Sequence, residues 1–117
     1  MAANTNPIFS GTPAIGQSDV LPIATANTSK TLTSGTIYLV FTADATDGSR
    51  VNKIILQPLG TNIATVARIW INNGSTTGTA VNNTLIKDVT MAATTNSETA
   101  AIGNTEIVLD IALPASY

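Results

Sequence analysis

From Thr105 to Leu113 the side chains alternate: Ile107, Leu109, Ile111 and Leu113 point one way, and Glu106, Val108, Asp110 and Ala112 the other. Successive side chains of a strand leave opposite faces, so this period of two, with both acids on one side, marks a half-buried strand. A helical stripe would recur every three or four residues instead. Pro114 has no N–H to give a ladder and stops the pattern. The chemistry behind it runs through the whole chain. Thr, Ile and Val supply 20, 13 and 7 of the 117 residues, and a branched Cβ favours extended backbone.

Four further segments read as strands. Thr36 to Ala43 sets Ile37, Leu39 and Phe41 on one face and breaks at the turn-rich Asp44 to Ser49. Arg50 to Pro58 carries Val51, Ile54, Ile55 and Leu56. Asn62 to Asn72 puts Ile63, Thr65, Ala67, Ile69 and Ile71 on one face, with Arg68 and Trp70 on the other. Thr84 to Thr90 contains Leu85, Ile86 and Val89. Asn72 to Asn83, rich in Asn, Gly, Thr and Ser, reads as a long hairpin loop. Ala92 to Asn104 reads as a second loop, in which Ala100-Ala101-Ile102 before Gly103 allows one helical turn. A chain of this length holds one domain. Five strands without a convincing helix predict an all-β fold: a single antiparallel β-sandwich, jelly-roll-like, over residues 36–117, preceded by an extended N-terminal arm over residues 1–35.

That arm has its own logic. Pro7, Pro13 and Pro22 separate the apolar words Ile8-Phe9, Ala14-Ile15 and Val20-Leu21, with Ile23 after them. Proline removes a donor and keeps the preceding residue out of helix, so the stretch should be extended. A disordered linker would be less apolar. Two placements are open: an edge strand packed on its own domain, or an arm that docks on a neighbouring subunit. The five strands already supply a core, so at least part of residues 2–23 is expected to cross a subunit boundary. Ile8, Phe9 and Ile15 are then candidate contact residues.

Catalytic chemistry has little to work with. The chain has no His and no Cys, which removes Ser-His and Cys-His nucleophiles and thiolate or imidazole metal sites. A carboxylate pair remains, but Glu106 falls on the wet face of its strand, so a pairing with Glu98 is not expected to act. Neither a phosphate-binding Gly-rich loop nor a dinucleotide fingerprint occurs. Asp44-x-x-Asp47-Gly48 has calcium-like residues without the EF-hand spacing, and the same residues build ordinary turns. No enzyme activity, metal or cofactor is expected.

Partners are bounded by charge. Lys30, Arg50, Lys53, Arg68 and Lys87 are scattered through a chain of net charge -2, whereas phosphate binding needs clustered cations, so no nucleic acid is expected. No run approaches the roughly 20 apolar residues of a spanning helix, so no membrane is expected either. Met1 to Pro7 has neither a basic region nor an apolar core, which predicts synthesis and retention in a cytosol. Arg68 and Trp70 share a strand face, with Lys53 and Gln57 as possible neighbours. Such a pair can cap the core, anchor a protein interface or present a sugar platform. Thr and Asn supply a polar, weakly charged surface suited to hydrogen bonding with a neighbour.

Several words of the sequence resemble small structural proteins of tailed bacteriophages. They are Asn6-Pro7-Ile8-Phe9, Thr12-Pro13, Gly16 and Thr25-Ala26-Asn27-Thr28, followed by Gly48 to Ile54, Gln57 to Thr61, Val66 to Ile71, Leu85 to Val89, and Leu113-Pro114. The resemblance implies a non-enzymatic, β-rich virion component assembled in the host cytoplasm. It would be a capsid decoration or head-fibre protein that binds the major capsid protein or another virion protein and associates with copies of itself, a trimer being one option. Tail or baseplate components, and carbohydrate- or surface-binding β-sandwich modules, are the alternatives. In the family the Leu-Pro word is usually followed by another strand, whereas this sequence ends at Tyr117. A missing strand would leave the neighbouring sheet edge open.

Overall fold

The structure, a computed structural model, describes residues 23–117. Its regular elements are β1 (Ser49–Leu56), β2 (Thr65–Asn72), β3 (Asn83–Met91) and β4 (Thr105–Leu113), with a single 3-10 turn at Ala80–Asn82 among the described residues. β1 pairs antiparallel with β4, and β2 antiparallel with β3, giving two two-stranded sheets. Four strands fall where the alternation put them. β4 agrees to the residue, and its exposure alternates from end to end.

The pairing is nested: β2 and β3 lie inside the β1–β4 pair. In effect the chain is one long antiparallel hairpin that changes sheet halfway. At the change, Asn62 bridges Thr94, three residues beyond Thr65 and three beyond Met91, which is the register of the β2–β3 ladder. Asn62 N donates to Thr94 O at 2.9 Å and Thr94 N to Asn62 O at 3.0 Å. The Asn62 amide also donates to Thr94 Oγ1 at 2.8 Å and to Gly60 O at 3.0 Å. This clasp holds the corner, and pairing resumes beyond it at Leu56 and Thr105.

The hairpin's tip and its open end come together. Asn72 to Asn83 is tied by its own amides: Asn82 Nδ2 donates to Thr76 O at 3.0 Å and Asn83 Nδ2 to Thr77 O at 2.8 Å. Gly74 has a φ of +83°, and a Cβ there would meet Ser116 O at 3.0 Å, so the tip lies against the C-terminal residues. Those residues in turn bond the turn before β1, Ser116 N donating to Asp44 O at 3.2 Å. The two ribbons are therefore joined at the clasp and again at the tip.

Each ladder contains one irregularity of register, between Val51 and Lys53 in β1 and between Ile69 and Trp70 in β2, with the extra residue on the partner strand. Such bulges increase local twist. In β4 Asp110 takes a left-handed φ of 51°. Its Oδ1 receives Arg50 Nη2 at 2.5 Å, and Lys53 Nζ lies 3.1 Å from Glu106 Oε1. Each cation thus reaches the acid two residues before its direct partner, Ala112 or Val108. Both pairs are exposed, so each is worth about 0–1 kcal/mol.

Two expectations need correction. Thr36 to Ala43 forms no strand. Alternation fixes which side chains share a face, but a strand also needs a second backbone to pair with, and this segment has only Ala43 N donating to Tyr117 O at 2.7 Å among the described residues. Ala100 to Ile102 forms no helical turn. One turn gains too few backbone bonds to offset its ordering entropy, and the threonines nearby favour extended backbone.

Packing is sparse for a chain this size. The buried apolar residues among those described are Leu32, Ala43 and Ile107. The accessible surface is 8867 Å², whereas a compact monomer of 12.0 kDa exposes about 6,000 Å².

Candidate interaction surface

Between the ribbons lies an open hollow of 2460 Å³. That is the liquid volume of about eighty waters, while a packed interior leaves few voids larger than one water. Its walls are the apolar faces the alternation marked out. β1 and β4 contribute Val51, Ile54 and Ile111, and β2 contributes Ile69 and Ile71. Ile37 and Phe41, from the extended segment before the Asp44 turn, line it as well.

Arg68 and Trp70 also border this hollow. Arg68 stands opposite Asp88 in the ladder, and its Nε lies 3.5 Å from Asp88 Oδ1. Trp70 stands opposite Leu85 and is half-buried. The structure does not bring Lys53 to them: its ammonium is committed to Glu106 on the other ribbon. Gln57 Nε2 donates instead to Ile102 O at 3.1 Å. The remaining candidate contact residues, Ile8, Phe9 and Ile15, lie outside the described residues.

Charged groups elsewhere have structural partners. Asp44 Oδ1 accepts from Thr46 N at 2.8 Å and Asp47 N at 2.9 Å. The backbone N–H of Asp47, then that of Thr46, stabilise the charged form and hold the Asp44 carboxyl below its ordinary range. Its oxygen is thus occupied in closing the turn that Gly48 completes with a φ of +72°. Glu98 is exposed in the second loop, and Glu106 is bonded to Lys53.

Two features escaped the sequence reading. Nothing in Asn62 or Thr94 distinguishes a corner clasp from two of the many polar loop residues. The hollow left no sequence signal because alternation marks faces that need cover without naming what covers them. Comparison with family models, with curated proteins and with solved structures gives no match to this chain.

Proposed function

We propose that this protein is a structural component of a tailed-bacteriophage virion, a capsid decoration or head-fibre protein that binds a virion lattice and copies of itself. The observation that carries the reading is the open interior: 8867 Å² of accessible surface with only Leu32, Ala43 and Ile107 buried among the apolar residues described. A protein that works alone in water covers such faces, whereas one that works inside an assembly leaves them for its neighbours. The kind of assembly comes from the resemblance of the sequence words. The nested hairpin, folded at its clasp so that both ribbons line one hollow, is the basis for reading the finished fold as a jelly-roll-like sandwich. Each copy would add a modest interface, and repetition over the lattice would make the attachment firm.

Labelling tests this reading. An antibody against the chain should decorate heads in electron micrographs of particles produced from the genome that encodes it. Particles that contain none of the chain by label and by mass spectrometry would refute it, and label confined to tails would move it to the tail.

A further inference from the structure

We propose that the hollow between the ribbons is the docking groove for residues 8–15 of a second copy of this chain. The inference rests on the self-association in the proposed function and names the surface and segment responsible.

The first support is where the described chain begins. Ile23 lines the hollow, and 22 residues precede it. Thr25 N donates to Tyr38 Oη at 3.2 Å and Asn27 Nδ2 to Thr36 O at 3.0 Å. Stepping back from 27 to 25 therefore advances from 36 to 38 on the facing segment, an antiparallel course. Continued, it sets Leu21 beside Thr42 and Val20 beside Ala43, where the facing segment ends in the Asp44 turn. Residues before Val20 are then carried out of their own molecule at that end. Extended, residues 8–19 span about 40 Å, more than the two shorter dimensions of the molecule, 37 and 21 Å. They reach a neighbour.

The second support is area. The surface in excess of a compact monomer is about 2,900 Å² per chain, beyond the roughly 800 Å² per partner of a standard interface and in the range of obligate homo-oligomers. The third is chemistry. Ile8, Phe9 and Ile15 suit walls made of Val51, Ile54, Ile69, Ile71 and Ile111, and neither this segment nor those walls carries a charge to desolvate. Pro7 and Pro13 keep the segment extended before it docks, which lowers the entropy lost on binding.

The absence of cysteine in the sequence makes the test clean. Chains carrying Phe9→Cys and chains carrying Ile69→Cys are unfolded together, refolded and oxidised, and the exercise is repeated with Ile54→Cys and Ile111→Cys. The expected product is a disulfide joining position 9 of one chain to a groove position of another, in at least one of the three mixtures. The double variant Phe9→Cys/Ile69→Cys should form linked chains. A disulfide closed within one chain at monomer mass, no product in any mixture, or a monomeric full chain at micromolar concentration would overturn the arm exchange. Particle labelling separates the two ideas. Cross-linking without label upholds the groove and removes the virion role, and label without cross-linking does the reverse.

Discussion

Gly48 is where the fold tolerates least. Its φ of +72° lies in the left-handed region, and a Cβ built there would collide with Leu113 O and stand 3.2 Å from Pro114 C and 3.3 Å from Ala115 N. All three are backbone atoms, so no side-chain rotation relieves the contact. Gly48→Ala should cost about 1–2 kcal/mol for the left-handed conformation. Moving Leu113 to Ala115 aside would also disturb the bonds from Ser116 N to Asp44 O and from Ala43 N to Tyr117 O, at about 0.5–1.5 kcal/mol each. The sum is roughly 2–4 kcal/mol, a large share of what holds a small domain folded. Trp70, the one tryptophan, reports unfolding by fluorescence in a urea titration at fixed protein concentration. With a slope of about 2 kcal/mol/M, the midpoint should fall by about 1–2 M. Gly78→Ala is the control, since its Cβ would meet nothing within 4 Å. It should be neutral or stabilise by up to about 1 kcal/mol. Equal midpoints for Gly48→Ala and wild type, or an equal fall for Gly78→Ala, would refute the argument.

Three smaller perturbations probe other parts of the fold. Asn62→Ala removes the amide that bonds Thr94 Oγ1 and Gly60 O, and should lower stability by about 1 kcal/mol in the same titration while amide exchange quickens around the corner. Arg50→Ala breaks an exposed pair with Asp110 and should change the midpoint by no more than about 1 kcal/mol, with the difference shrinking in high salt. Asp44 has a folded-state pKa below its ordinary 3.8, so its contribution is complete above that value and is lost as pH falls through the lowered one. Between about pH 5 and pH 2 the wild type should lose stability more steeply than Asp44→Asn, whose side-chain oxygen still accepts both N–H groups without titrating.

β4 was fully legible because its alternation runs through nine residues with an acid or small residue at every outward position except Val108. β1 was legible in extent but not in phase. Val51 faces inward and so does Ile54, a break in period produced by the register irregularity beside Asn52, and bulges have no residue signature. Thr36 to Ala43 carries as good a pattern as β1. Its failure to join a ladder shows what a single strand's pattern lacks, namely the partner. Sequence periodicity reports the free energy of covering a face, and pairing depends on which backbone arrives beside it. The same limit applies to Arg68 and Trp70. Their shared face was readable, whereas Asp88, twenty residues on in sequence, became Arg68's neighbour only through the β2–β3 register.

A last consequence follows from the arm exchange. If residues 8–15 of one chain fill the hollow of another, the apolar faces of Ile54, Ile69 and Ile111 are covered only in the assembled state, and folding and assembly draw on the same surface. Stability must then depend on concentration, because dilution favours separated chains with open interiors. For a dimer, each tenfold dilution removes about 1.4 kcal/mol of apparent stability. At a slope of about 2 kcal/mol/M, the urea midpoint should drop by roughly 0.7 M per decade. Titrations over two decades of protein concentration, followed through Trp70, measure this directly. A chain that closes its own groove unfolds at one midpoint at every concentration, and that result would place residues 8–15 on their own molecule.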